Sequence, residues 1–354
     1  MDNDNATFDD SHTCMTSTTA QRAAALGNRR RGGACRLAGM AVLAAWLHVG
    51  AWAADPLTLA VSRGPVSLTV WVAETNGYFE REGLTVRVRD CSSGRSCVEM
   101  LDAGADLATA AELVVTLGSF SRADLAIIAT ISASSHQIKL IARRSAGVTV
   151  PSQLRGKRVG TVLGTSAEFF LDSWLLFHGL SAGDISLVAL GPDQLAGALA
   201  RGEVDAIAIW EPHAATALKS LGTDGLSMPN PRVYTQFFSL VTTRGAIARR
   251  SDEMQRLLRA LLRSQQFIAD EPSRAREILV NRLGMEPGSA DAQFREHDFR
   301  IRLDEALIGA MGRQARWAVR EGHVKPEGKI PNPLNLVEPS LLRQGAPGAI
   351  TLAH

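Results

Sequence analysis

The sequence predicts an α/β protein of two similar lobes, each a mostly parallel sheet flanked by helices, joined by two hinge crossings. Three observations predict it. A short phrase occurs twice: Leu101-Asp-Ala-Gly-Ala-Asp106 runs through an apolar stretch to Glu112, and Leu199-Ala-Arg-Gly-Glu-Val-Asp205 runs through another to Glu211. Each copy reads as a helix end, a Gly turn, an Asp, a short strand and a Glu opening the next helix. Strand and helix patterns alternate on either side of both copies, which implies parallel sheets. The chain has 354 residues, enough for about two domains. Open α/β sheets take ligands at the carboxyl ends of their strands, so two such ends facing each other make a cleft.

The first half reads in order as follows. Leu57 to Ser62 alternates and forms a strand, broken by Gly64-Pro65. Val66 to Glu82 keeps helical spacing and stops at Gly83, and Leu84 to Arg89 alternates as a second strand. Ser96 to Ala103 is a helix, Leu107 to Thr109 a strand, and Glu112 to Phe120 a helix; Leu125 to Ile131 and Ile138 to Arg143 are apolar strands. After the turn at Pro151, the second lobe repeats the scheme. Strands are expected at Arg158–Leu163, Ile185–Leu190 and Val204–Ile209, with helices at Thr165–Phe177, Asp193–Ala200 and Pro212–Leu221. Gln236 to Thr243 is an apolar strand expected to return to the first lobe. The crossings are placed near Ala142–Arg144 and Thr242–Arg244. Lobe 1 is then 54–142 plus 244–354, and lobe 2 is 143–243. From Ser251 the chain is amphipathic helix, Leu303 to Val319 is another helix, and the Pro- and Leu-rich tail from Pro331 is expected to wrap the first lobe.

Residues 1–53 read as a leader rather than as fold. Arg29, Arg30, Arg31 and Arg36 precede an uncharged stretch from Leu37 to Ala54, and Ala51-Trp52-Ala53 offers a cleavage site. This is the pattern of a secretory signal peptide, and the apolar run is short for a membrane anchor. Met15 is an alternative start, and Cys35 stands before the apolar run, where a lipoprotein cysteine would not be. The expected location is therefore periplasmic. Beyond the leader only Cys91 and Cys97 remain. They are a candidate disulfide in an exported chain, worth about 2 kcal/mol or less, with free thiols the alternative. Such a pair alone is a poor metal site, because structural zinc needs four ligands.

Formal net charge is +2 with no long single-sign run, and hydrophobic residues make up 45%, so a packed core is affordable and a nucleic-acid footprint is not predicted. His136, His178, His213, His297, His323 and His354 are scattered, without the spacing of a metalloprotease helix. Nucleophile-elbow, Walker and dinucleotide motifs are also missing. No catalytic residue, metal or cofactor is expected.

At this point the motifs resemble a known family. Gly77-Tyr-Phe-Glu-Arg-Glu-Gly-Leu-Thr-Val, Gly104-Ala-Asp, Gln153-Leu-Arg-Gly-Lys-Arg-Val-Gly, Gly164-Thr-Ser and Gly202-Glu-Val-Asp-Ala with Trp210-Glu-Pro-His follow its order and spacing, from about Leu57 to Leu342. The chain resembles the periplasmic substrate-binding proteins of ABC transporters, of the nitrate/sulfonate/taurine and thiamine-precursor type. The resemblance implies a type II periplasmic-binding-protein fold, a small-molecule solute, an ABC permease as partner, a monomer, and no catalysis. The alternatives are a sensor that presents solute to a receptor, or an enzyme like those that make the thiamine pyrimidine, which need a Cys-rich motif absent here.

The candidate ligand residues follow from strand ends. Ser62 and Arg63 end the first strand, where Arg63 would pair an anion. Gly164, Thr165 and Ser166 open a helix whose N–H groups attract anions, with Thr165 and Glu168 as its capping pair. Glu168 there would compete with a bound anion. Glu112 and Glu211 each start a helix, so each either complements a helix dipole or faces the other across the cleft to grip an ammonium group. Trp210 is either core or a stacking surface. Ser134, Ser135, His136 and Gln137 precede a crossing strand and are expected to add polar contacts. The expected solute is organic: one with both charge types, an organic acid, or a sulfonate.

Overall fold

The computed structural model describes residues 55–325 and 329–352, so the leader, Met15 and Cys35 lie outside the described residues. The first sheet begins with β1 (Leu57–Ser62), followed by α1 (Leu68–Thr75), α2 (Tyr78–Arg81), β2 (Val86–Cys91), α3 (Gly94–Asp102), β3 (Leu107–Ala111), α4 (Glu112–Gly118) and β4 (Leu125–Ser134). The chain then builds a second sheet from β5 (Ile138–Arg143), β6 (Arg158–Thr161), α5 (Ser166–Phe177), β7 (Ser186–Ala189), α6 (Pro192–Arg201), β8 (Ala206–Trp210), α7 (His213–Leu221) and β9 (Gly225–Ser227). It returns through β10 (Gln236–Thr243), then α8 (Arg244–Asp270), α9 (Pro272–Leu283), α10 (Pro287–Glu296), β11 (Leu303–Asp304), α11 (Glu305–Arg320), α12 (Ser340–Gly345) and β12 (Ile350–Thr351).

The two large sheets have the same plan. Their orders are β2-β1-β3-β10-β4 and β7-β6-β8-β5-β9. In each, the fourth strand is antiparallel to both neighbours and the other four run one way. That odd strand is in each case the one that has just crossed from the other sheet.

This pairing moves the crossings from where the sequence put them. Strand β5 pairs with β8 and β9, so the first crossing is at 135–137 and not at Ala142–Arg144. Strand β10 pairs with β3 and β4, so the second lies between Ser227 and Gln236 and not at Thr242–Arg244. Both strands read as continuous apolar runs, and such a run looks the same at the centre of either sheet. The helix expected over Val66–Glu82 is also broken. It opens with a 3₁₀ turn at Pro65–Ser67 and stops at Asn76 before Gly77, which takes φ 66°. A left-handed residue cannot continue a right-handed helix.

The repeated phrase explains the shared plan. Asp106 Oδ2 accepts the Thr58 N–H at 2.8 Å, and the Asp106 N–H donates to Thr58 O at 2.9 Å. Asp205 does the same to Arg158, accepting its N–H at 2.9 Å and donating to its carbonyl at 2.8 Å. Each Asp thus fastens the start of the neighbouring first strand. Each also meets an arginine, Arg250 for Asp106 at 2.9 Å and Arg158 for Asp205 at 2.8 Å.

One hydrophobic cluster packs the first sheet against α1, α3, α8 and α9, and two clusters cover the faces of the second. The larger of those two is completed from outside its own sheet, by Leu113 of α4, Tyr234, and Trp317 and Ala318 of α11. The tail lies on the first lobe, where Val337 bridges to Ile127 of β4.

Trp174 sits at the centre of the second lobe, fully buried, with its indole N–H donating to Pro229 O at 2.8 Å. Trp174→Ala is expected to cost about 3–5 kcal/mol of stability, read as a lowered urea midpoint with the cleft residues untouched.

Candidate functional site

Strand ends and helix starts of the two sheets converge on a cleft that is open to solvent. The first lobe contributes Ser62, Arg63 and Gly64 after β1, Ser93, Gly94 and Arg95 at the start of α3, and Gln236 and Phe238 from β10. The second contributes Val162, Thr165 and Ser166 around the start of α5, Pro192 of α6, and Trp210 and Glu211 at the end of β8. Gln137, in the first crossing, closes the back, held between His297 at 2.9 Å and the Glu211 carbonyl at 3.1 Å. Its apolar walls (Val66, Val114, Val162, Trp210, Phe238) suit a small organic molecule.

The charge in the cleft is mostly positive. Arg63 is exposed, and its guanidinium has no hydrogen-bond or ion-pair partner among the described residues. Arg95 is exposed too and spends one N–H on the Gly164 carbonyl at 2.6 Å, with no carboxylate partner. The start of α5 adds backbone N–H groups of the sort that favour negative charge. Against these stands one carboxylate, Glu211, whose side chain is only 3% exposed. Its Oε1 is 3.4 Å from Lys139 Nζ and its Oε2 accepts the Ala215 N–H at 2.9 Å. Burial raises the Glu211 pKa, and Lys139 pulls it back part of the way.

Several expected residues therefore stand elsewhere. Glu112 does not face the cleft. It is fully buried, and its oxygens accept hydrogen bonds from Tyr234 Oη at 2.6 Å, Gln314 Nε2 at 2.6 Å and the Phe237 N–H at 2.9 Å. It knots the second crossing, β10 and α11 together, and no carboxylate pair grips an ammonium group. Ser135 and His136 do not line the cleft either: the Ser135 carbonyl accepts Asn230 Nδ2 at 2.8 Å, which ties the first crossing to the second. Gly164 lies just outside, at φ 64°, offering its carbonyl to Arg95.

Thr165 caps α5 as expected, accepting the Ala167 N–H at 3.2 Å. Its partner reaches one residue further back, since Glu168 Oε2 accepts the Gly164 N–H at 2.5 Å and Glu168 Oε1 meets His323 Nε2 at 3.1 Å. So engaged, Glu168 is turned from the cleft, which removes the expected competition with an anion. Ser62, Arg63, Thr165, Ser166, Trp210 and Glu211 do line the cleft. Ser166 is also bonded across it, its Oγ accepting Gln236 Nε2 at 2.8 Å.

Sequence reasoning passed over Ser93, Gly94, Arg95 and Gln236, whereas Gln137, named with the polar run before β5, stands in the cleft lining. The first three had a signal: they open a helix directly after a strand end, between two cysteines. Those cysteines are bonded, Cys91 to Cys97, with Cα atoms 5.5 Å apart. Gly94 is required there, because a Cβ would come within 3.0 Å of the Ala110 Cα. Among the described residues no cluster of His, Cys, Asp and Glu has the makings of a metal site.

The Glu112 knot has a pH signature. Desolvation raises the Glu112 pKa from an ordinary 4.5 to about 7, against the lowering effect of the Tyr234, Gln314 and Phe237 hydrogen bonds. A folded-state pKa above the unfolded value means that the native state holds the proton longer, so this contribution is whole below pH 4.5 and is lost as pH rises toward 7. Gln314 Oε1 is buried without a partner, so a turned amide can accept the proton of neutral Glu112. Glu112→Gln is expected to gain about 3 kcal/mol relative to the parent between pH 4 and pH 8, measured by urea unfolding at both pH values. A difference independent of pH would show that Glu112 is ionised throughout.

The fold has many relatives of known structure. The alkanesulfonate-binding protein SsuA from Xanthomonas axonopodis pv. citri, solved with MOPS bound, matches with a TM-score of 0.70 at 19% identity, over 81% of this chain and 100% of that one. The aliphatic sulphonate-binding protein SsuA from Escherichia coli matches with 0.67 at 16% identity, over 77% and 94%. The nitrate-binding protein NrtA from Synechocystis PCC 6803 matches with 0.67 at 13% identity, over 83% and 89%. No curated protein matches the sequence. A family profile does, described as NMT1/THI5 like, across residues 65–275, which is more than half of the chain. On that match, and on a fold shared with periplasmic binding proteins, the chain belongs to the NMT1/THI5-like family.

Proposed function

We propose that this protein is the periplasmic solute-binding component of an ABC importer, and that its solute is a small organic anion, a sulfonate or carboxylate with an apolar body. The observation that carries this reading is the pair of guanidinium groups, Arg63 and Arg95, free of carboxylate partners at one side of an apolar-walled cleft. The start of α5 faces the same space from the other lobe. Charge-assisted hydrogen bonds from arginine suit a planar or tetrahedral oxyanion, and the apolar walls take the body that a bare inorganic anion lacks. Solute that touches both lobes stabilises the closed arrangement by its extra contacts there, and the closed form delivers it to a permease.

The lining supports binding rather than catalysis. No Cys or His lines the cleft, and its one carboxylate is held by Lys139. Export is supported by the Cys91–Cys97 disulfide, since such bonds persist in oxidising compartments. We place the signal peptide at residues 1–53, with cleavage after Ala53, which N-terminal sequencing of the periplasmic fraction checks. Among the described residues no helix is long and apolar enough to cross a membrane.

The test is a calorimetric panel of MOPS, short alkanesulfonates, taurine, aromatic carboxylates, nitrate and putrescine on the purified protein. Sulfonates and carboxylates are expected to bind more tightly than nitrate, and putrescine not at all. A ligand at a hundred times its Kd adds about 2.7 kcal/mol of stability. Arg63→Gln is expected to weaken the best ligand by about 10- to 100-fold, the worth of a hydrogen bond to a charged group. Tight binding of putrescine, or no loss in Arg63→Gln, would overturn the anion assignment.

A further inference from the structure

The loop that presents Arg95 is held far more firmly than a surface loop needs to be. Strand β2 ends at Cys91, which is bonded to Cys97 in the second turn of α3, where Cys97 is fully buried. Between them Ser93 and Ser96 cap each other, the Ser93 N–H donating to Ser96 Oγ at 3.0 Å and the Ser96 N–H to Ser93 Oγ at 3.2 Å. Gly94 is pressed against β3 with no room for a side chain. Three separate ties therefore fix the backbone from which Arg95 projects.

From that base Arg95 does two things at once. It lines the cleft, and it reaches the other lobe, where Nη2 donates to Gly164 O at 2.6 Å. The receiving end is as constrained as the giving end. Gly164 adopts φ 64°, and a Cβ there would lie 3.0 Å from Arg95 Nη2. Its own N–H is held by Glu168, which in turn meets His323 beyond the end of α11. A guanidinium has five N–H donors in a rigid fork, so one bond to Gly164 leaves others for a solute oxyanion. The bond to Gly164 exists only when the lobes are close, and the anion contact exists only when solute is present. One rigid group makes both.

We propose that Arg95 couples solute contact to closure of the cleft, and that the Cys91–Cys97 disulfide is its positioning device. The coupling rests on the organic-anion reading above, whereas the positioning of Arg95 across the cleft stands on the contacts alone. In this arrangement the disulfide acts at a distance: neither sulfur touches the solute, yet opening the bond frees the loop that aims the charge.

The experiment compares the parent protein with Arg95→Gln, Arg95→Lys and the double variant Cys91→Ala/Cys97→Ala in three measurements. These are small-angle scattering without ligand, amide exchange over Ser92–Val98, and calorimetric titration with MOPS. Arg95→Gln is expected to be more extended than the parent, to keep its thermal midpoint within a few degrees, and to bind MOPS at least tenfold more weakly. Arg95→Lys, which keeps the charge and loses the fork, should recover only part of that loss. The double Ala variant should exchange its loop amides at least tenfold faster and reproduce the scattering and affinity of Arg95→Gln. Should it fail to fold, the parent protein reduced with dithiothreitol gives the same comparison. A double variant or reduced protein that keeps slow exchange and parental scattering overturns the role of the disulfide. An Arg95→Gln protein as compact as the parent overturns the clamp. If MOPS fails to bind even the parent, the sulfonate reading loses its support, and scattering and exchange still decide the positioning of Arg95.

Discussion

Three chain segments meet at the Glu112 carboxylate, and the relation of the two lobes hangs on that meeting. Tyr234 brings the second crossing, the Phe237 N–H brings β10, and Gln314 brings α11. Unpaired, such a carboxylate would be costly so far from water, and three donors offset most of that cost. The knot sits at the start of α4, directly after β3, so it also fixes the rim from which Ala111 and Val114 line the cleft. The first crossing is tied to the second through Ser135 and Asn230. Both links between the lobes are thereby held to one place, away from the cleft mouth.

On that side the contacts are of a different kind. Arg95 to Gly164, at the edge of water, and Gln236 to Ser166, buried between the lobes, are single hydrogen bonds. Each is worth little net, on the order of 1 kcal/mol. A buried, multiply bonded hinge opposite a sparsely bonded mouth fits the proposed closing cleft, in which the hinge would survive the motion and the mouth would be tipped by a solute of modest affinity.

How much of this was legible in the residues depends on how local each signal is. The strand ends at Ser62 and Trp210-Glu211 and the helix start at Thr165-Ser166 are local patterns, and they do line the cleft. The duplicated Asp-to-Glu phrase correctly marked matching units, and its Asp proved to be a strand fastener in both. Its Glu misled. A Glu opening a helix after a strand reads the same when it faces a cleft and when it faces a buried hinge; only Tyr234 and Gln314, far away in sequence, distinguish the two. Gln236 was invisible for a related reason, since its role comes from the neighbouring lobe. Arg95 was hidden in plain view, in a loop read for its cysteines. The crossings were displaced because β5 and β10 are apolar throughout, and such strands carry no mark of the sheet they join.

The strand order also bears on how the chain comes together. The second sheet is built from one unbroken stretch, β5 through β9, and can pair its strands as soon as that stretch exists. The first sheet cannot. Its β3 and β4 are separated by an empty place until β10 arrives from beyond the whole second lobe. Contacts between residues so distant in sequence close late, because the loop entropy must be overcome before the pairing rewards it. The second lobe is thus the natural early intermediate, but it is left with an unsealed face that waits for Trp317 and Ala318. Each lobe finishes only with the help of the other, so the two halves that the proposed function sets moving apart are obliged to mature together.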